Sequence, residues 1–197
     1  MALDLLAIQR LAENVLGCVC AALDVTAAEV AGQPGCPDCR SCVVPGAPAW
    51  DGCEDPCSGT TTGGQLSVNV AQLYTSTLDH FPDPVRAVQG VRSCTPSQLM
   101  VAELHVTLLR CAPTISERGC PPTCEELAAA GRILHIDMST VHNALMCCLP
   151  TTAAGRGSGP RFSLGAMRTI GPDGGCVGLE QRLTVALDYC ACPGGGA

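Results

Sequence analysis

The sequence predicts an α+β fold, an antiparallel or mixed sheet of four to five strands covered by two helices in the order α-β-β-β-α-β-β. Two segments repeat apolar residues at spacings of three and four, which is the period of a helix, and several others alternate apolar with polar residues, which is the period of a half-buried strand. The chain has 197 residues, 47% of them hydrophobic and 15% charged, which excludes a disordered chain. We expect a single domain spanning 1–197 that buries its own core.

The first helix is predicted over 4–23. Its apolar residues fall on one face at helical spacing, and they are Leu5, Ile8, Ala12, Val15, Val19 and Ala22. A loop insertion rich in Cys, Pro and Gly follows at 32–63. Within it, only 40–44 has the pattern of a short strand.

Two strands are predicted next, over 65–74 and 98–111. The longer one places Leu104 and its even-numbered neighbours on one face, and Glu103, His105 and Thr107 on the other. A histidine on the polar face of a strand is more often satisfied by neighbours or exposed than engaged as a ligand. We therefore expect no metal at His105.

The second helix is predicted over 124–148. Thr123 and Glu126 have the spacing of a capping box. In a capping box the side chain of each residue accepts a hydrogen bond from the backbone N–H of the other. Apolar residues recur on one face from Leu127 to Cys148, and Pro150 is expected to end the helix. The last two strands, 161–170 and 175–188, flank a glycine-rich hairpin turn at 171–175. Residues 193–197 are expected to form a flexible tail.

The charge and the motifs bear on function. The formal net charge is −7 with 11 basic residues, all of them Arg, whereas a surface that grips a phosphate backbone needs clustered cations. A nucleophile elbow, a phosphate-binding loop and a dinucleotide fingerprint are missing from the sequence, so we expect a non-enzymatic protein that needs no cofactor. The alternative is a thiol-based enzyme, which requires one exposed thiol of depressed pKa.

Cysteine usage is high, at 16 of 197 residues, although the N-terminal segment lacks the features of an export signal. The spacing of Cys36, Cys39, Cys53 and Cys57 is compatible with a zinc site. Trp50, several prolines and a surplus Cys42 crowd the interval, which favours disulfides or buried thiols over a metal.

The lengths of the predicted elements sort the later cysteines into two poles. If strand 98–111 and helix 124–148 run roughly antiparallel, one pole holds Cys111, Cys120, Cys124 and Cys176, and the other holds Cys94, Cys147, Cys148, Cys190 and Cys192. A disulfide requires Cα atoms within about 7 Å, so bridges should form within a pole. We expect Cys111 to pair with Cys120, Cys124 or Cys176, and Cys94 to pair with Cys147 or Cys148.

Several segments together resemble a known family. They are PGAPAWDGC at 45–53, VAELHVTLLRCAPT at 101–114, the helix capped by Pro-Pro-Thr, the Cys pair at 147–148, and GPDGGCVGLEQRLTV at 171–185. The chain resembles the tail terminators among the small neck proteins of long-tailed, siphovirus-type actinobacteriophages. The resemblance covers most of the chain, and the insertion at 54–63 departs from it.

The resemblance implies a structural protein of the virion neck, assembled in the host cytoplasm. Such proteins form a ring, usually hexameric, that caps the tail tube and docks the head-to-tail connector or stopper protein. DNA would pass through the lumen without sequence-specific binding, and no membrane is involved. Leu5, Ile8, Val15 and Val19 on the first helix are candidates for the contact between ring subunits. A stopper or adaptor of the same neck, and a zinc-stabilised binding module, are the alternatives.

Overall fold

The computed structural model describes residues 6–37, 40–48, 63–85, 98–115, 119–152, 161–173 and 175–187. It confirms the predicted fold class and element order. The elements are helix α1 (Ala7–Glu29), strands β1 (Ser41–Val44), β2 (Gln65–Thr77) and β3 (Gln98–Cys111), helix α2 (Cys124–Thr152), and strands β4 (Phe162–Asp173) and β5 (Cys176–Leu187).

The five strands form one mixed sheet in the order β1-β2-β3-β5-β4. Strand β1 runs parallel to β2, and every other neighbouring pair is antiparallel. A parallel pair needs a connection long enough to return to the same end of the sheet, and the stretch between Val44 and Gln65 provides it. Strands β4 and β5 form the predicted hairpin, with Asp173 opposite Cys176, so the turn is shorter than the five glycine-rich residues suggested.

The core lies between one face of the sheet and the two helices. Strand β3 is central, and its even-numbered residues Leu104, Val106 and Leu108 are buried on the helix-facing side, as their alternation predicts. Both helices contribute to the same core, α1 through Leu11, Ala12, Val15, Val19 and Leu23, and α2 through Leu134, Val141, Ala144, Leu145 and Leu149. The fold is therefore two-layered, with the helices on a single face.

Helix α1 continues six residues beyond its predicted end. Its last turns are held by tertiary contacts: Asp24 Oδ1 accepts a hydrogen bond from the backbone N–H of Cys36 at 2.8 Å, and the hydroxyls of Thr26 and Thr140 lie 3.1 Å apart. Such contacts stabilise a helix end that local propensity leaves undecided.

Helix α2 begins at the predicted capping box. The backbone N–H of Thr123 donates to Glu126 Oε2 at 2.7 Å, and the N–H of Glu126 donates to Thr123 Oγ1 at 3.2 Å. The carboxylate of Glu126 accepts bonds from the backbone N–H and from the hydroxyl of Thr123, and these two bonds hold the pKa of Glu126 below its usual value. The prediction that Pro150 ends the helix is wrong, since α2 runs to Thr152. A proline near the end of a helix lacks only its own N–H donor, so a single backbone hydrogen bond, to the carbonyl four residues earlier, is lost.

Candidate functional site: exposed faces, sheet edges and cysteines

The residues predicted for the subunit interface lie mainly inside the chain's own core. Val15 and Val19 are 2% and 0% exposed, and Ile8 is half-buried. Leu5 lies outside the described residues. The apolar stripe of α1 is used against the sheet and α2, so Val15 and Val19 are corrected from intersubunit contacts to core residues. Helical periodicity identifies an apolar face without identifying what covers it.

Other large apolar side chains are exposed, and apart from Leu127 they do not belong to a predicted apolar face. Seven are between 48% and 68% exposed: Leu6, Val25, Leu73, Leu78, Ile115, Leu127 and Met146. Leu127 belongs to the predicted apolar face of α2, yet it is 51% exposed. The first turns of α2 therefore extend beyond the part of the helix that packs on the sheet.

The two edges of the sheet are unlike. Strand β1 contributes four residues at one edge, and β4 contributes twelve at the other. Within the described part of the chain, β4 pairs only with β5, and seven of its twelve residues are exposed. A long exposed edge strand presents unpaired N–H and C=O groups that can extend a sheet.

A shallow groove of about 450 Å³ runs between α1 and α2. Its walls are mostly small side chains, including Ala21, Ala22 and Ala144, with Val25 beside them. Three cysteines also line it, and they are Cys18, Cys147 and Cys148. We call this surface the interhelical groove.

A charged network that the sequence patterns do not predict is buried at the end of β3. Arg110 Nε donates to Asp137 Oδ2 at 2.8 Å, and Asp137 is 0% exposed. Gln33 Nε2 donates to the other carboxylate oxygen at 2.8 Å. One sequence feature does indicate that Arg110 is buried. It follows Leu108 by two residues and therefore lies on the same, buried face of β3.

A second polar cluster occupies the opposite face of the sheet. His105 Nε2 lies 3.0 Å from Glu103 Oε1, and its Nδ1 lies 3.7 Å from Glu180 Oε2. Arg168 Nη2 approaches Glu180 Oε1 at 2.8 Å. His105 thus has carboxylate neighbours at both nitrogens, which agrees with the expectation of a satisfied histidine. Burial disfavours the charged form of Glu103, but hydrogen bonds from Gln72 and His105 outweigh it and lower the pKa of Glu103.

The cysteines partly follow the predicted poles. Cys111 and Cys176 are directly opposite each other in the β3–β5 register, so they share a pole as expected. Cys176 is disulfide-bonded, but no bridge joins it to Cys111 among the described residues, so that predicted pairing is wrong. Cys124 is a free thiol, which removes another of the three partners predicted for Cys111.

At the other pole the predicted partner is wrong as well. Cys148 is bridged to Cys18 of α1, with Cα atoms 6.3 Å apart, and Cys147 is a free, exposed thiol. Cys94, Cys190 and Cys192 lie outside the described residues. A second disulfide joins Cys20 to Cys36. The predicted pairings used only cysteines from Cys94 onward, whereas both of these bridges start from α1.

The zinc alternative loses one of its four ligands. Cys36 is engaged in the disulfide to Cys20, and a disulfide sulfur is not the thiolate that zinc requires. Cys39, Cys53 and Cys57 lie outside the described residues. Among the residues that the structure describes, no group of three or more His, Cys, Asp or Glu side chains could hold a metal ion.

By length and composition alone, α1 would be able to cross a membrane. Its most apolar window has a mean hydropathy of 1.5, and 28% of that window is buried. A core helix of a soluble protein passes the same test, and α1 packs against the sheet and α2.

The fold and these surfaces define an α+β protein whose two helices cover one face of a five-stranded mixed sheet. No protein-family model and no curated protein matches the chain.

Proposed function

We propose that the chain is a structural subunit of the neck of a long-tailed phage, a tail terminator whose copies assemble into a ring, usually of six. The ring would cap the tail tube, dock the head-to-tail connector or stopper protein, and leave a channel for DNA. The proposal rests first on the resemblance of the segments at 45–53, 101–114 and 171–185.

The structural observation that best supports the proposal is the difference between the two edges of the sheet. A closed ring needs heterologous contacts, in which one surface of a subunit meets a different surface of the next. Strands β1 and β4 lie at opposite edges of the sheet, so a subunit can present an unlike edge to each neighbour. The twelve residues of β4 offer the longer contact.

The charge supports the same function. Each chain carries a formal net charge of −7, so six copies would carry −42. A lumen without basic clusters holds DNA weakly, because nonspecific affinity for DNA comes from cations that neutralise phosphates. An acidic ring would let DNA slide through.

The test is the mass and symmetry of the purified full-length protein. Light scattering should give about 121 kDa, six times the 20.2 kDa of the chain, and negative-stain electron microscopy should show rings with a central hole. A protein that stays at 20.2 kDa at concentrations of tens of micromolar, with purified tail tubes added, contradicts the proposal.

A matched pair of variants tests the role of the edge. Thr169→Lys places a charge on the exposed β4 edge and should reduce ring formation, because lysine on an edge strand opposes strand pairing. Ser139→Lys adds the same charge on an exposed turn of α2 and should assemble like the parent. Rings that form equally well from both variants would exclude β4 from the contact while leaving a ring possible through other surfaces.

A further inference from the structure

Three cysteines line the interhelical groove. Cys18 and Cys148 form the disulfide that joins α1 to α2, and Cys147 is a free, exposed thiol. All three residues line the groove together with Ala144. The free thiol is therefore next in sequence to one half of the disulfide and shares a surface with both halves.

Helix geometry places Cys147 and Cys148 on either side of Ala144, the residue that Cys18 approaches. Each residue of an α-helix is rotated by about 100° from the one before it, so Cys147 lies about 60° to one side of Ala144 and Cys148 about 40° to the other. Cys18 Sγ lies 3.5 Å from the carbonyl oxygen of Ala144. The sulfur of Cys18 therefore lies beside Ala144, which is between Cys147 and Cys148 around the helix axis. Their Cα atoms are about 3.8 Å apart, as for any adjacent residues.

We propose that Cys18, Cys147 and Cys148 form an intramolecular thiol–disulfide exchange centre. The thiolate of Cys147 attacks the sulfur of Cys18, the bond between Cys18 and Cys148 breaks, and Cys148 leaves as a thiolate. Cys147 gives its proton to water, and the leaving thiolate of Cys148 takes one up. One disulfide and one thiol are present before and after the step, so no oxidant or reductant is consumed.

The exchange changes which thiol the protein displays. Before exchange the free thiol is that of Cys147, which is exposed. After exchange it is that of Cys148, at a position that is half-buried. Helices α1 and α2 stay bridged in both forms, while the free thiol moves from an exposed to a half-buried position. This device stands independently of the proposed ring.

The first experiment uses variants of the full-length protein, air-oxidised, blocked with N-ethylmaleimide without unfolding, and mapped by mass spectrometry after non-reducing digestion. Cys148→Ser should carry a Cys18–Cys147 bridge, and Cys147→Ser, the matched control, should carry Cys18–Cys148. The double variant Cys147→Ser/Cys148→Ser should leave Cys18 free and melt at a lower temperature than either single variant. A folded Cys148→Ser protein in which Cys18 and Cys147 are both alkylated overturns the proposal.

The second experiment uses the parent protein, so it decides the question even if Cys148→Ser fails to fold. Fragmentation between residues 147 and 148 distinguishes the two isomers of the bridge. Both should be present after incubation at about pH 8.5, and they should interconvert more slowly at about pH 5, because the thiolate is the attacking species. A single Cys18–Cys148 isomer after prolonged incubation at the higher pH overturns the proposal.

Discussion

Arg110 and Asp137 are joined by two hydrogen bonds in the interior, Nε to Oδ2 at 2.8 Å and Nη2 to Oδ1 at 3.1 Å. The guanidinium also donates to the carbonyl oxygens of Gly35 at 2.8 Å and Pro34 at 3.2 Å. The hydrogen bonds of Arg110 therefore connect β3 to α2 and to the segment that follows α1. Nearly every donor of the arginine is used, which is the condition under which a buried ion pair is tolerated.

Arg110→Ala should lower the free energy of unfolding by about 3–5 kcal/mol, because the carboxylate of Asp137 stays buried without its cation. Arg168→Ala is the control: the side chain of Arg168 is 59% exposed in its ion pair with Glu180, and its loss should cost less than about 1 kcal/mol. Urea denaturation of both variants measures the two effects. Equal changes in the denaturation midpoint would show that the buried ion pair stabilises the protein no more than the exposed one does.

Val15→Asp should prevent folding or destabilise the chain severely, because it places a charge at a core position that is 2% exposed. Val25→Asp, on the same helix at a position that is 58% exposed, should fold normally. Circular dichroism and thermal melting distinguish the two. A well-folded Val15→Asp protein would contradict the packing of α1 described above.

The double variant Cys20→Ala/Cys36→Ala removes the Cys20–Cys36 disulfide and should lower the free energy of unfolding by about 3 kcal/mol. This is the stabilisation expected from the loss of loop-closure entropy in the unfolded chain for a loop of this size. Cys42→Ala removes a free, exposed thiol and should leave stability nearly unchanged. Chemical denaturation without reductant makes the comparison. A double variant as stable as Cys42→Ala would mean that the bridge does not constrain the unfolded chain.

Glu103 should make stability depend on pH in the acid range. Its pKa in the folded protein is below the usual value of 4.5, so the folded state favours the ionised form. The resulting stabilisation is complete above about pH 4.5 and is lost as the pH falls through the lowered pKa. Glu103→Gln should therefore show a smaller loss of stability below that pH than the parent does.

The measurement for this prediction is the urea midpoint at several values of pH from neutral to about pH 3. Glu29→Gln, at the exposed end of α1, serves as the control and should follow the parent curve. If Glu103→Gln also follows the parent curve, the hydrogen bonds from Gln72 and His105 do not favour the ionised carboxylate.

The fold class, the order of the elements and much of their extent follow from local sequence patterns. Strand β3 has its predicted bounds, and Thr123 and Glu126 form the predicted capping box. These features are local: alternation, helical period and capping each depend on residues a few positions apart, so the chain displays them without its tertiary contacts.

Which surfaces and side chains meet depends on the packing of distant elements in the folded protein. This packing placed Val15 and Val19 in the core, and it joined Cys18 to Cys148 across 130 positions of sequence. It also brought Asp137 to Arg110. Periodicity shows that a face is apolar or that a cysteine lies near one pole. The partner depends on how distant elements pack, and that is set by the shape and burial of the whole core.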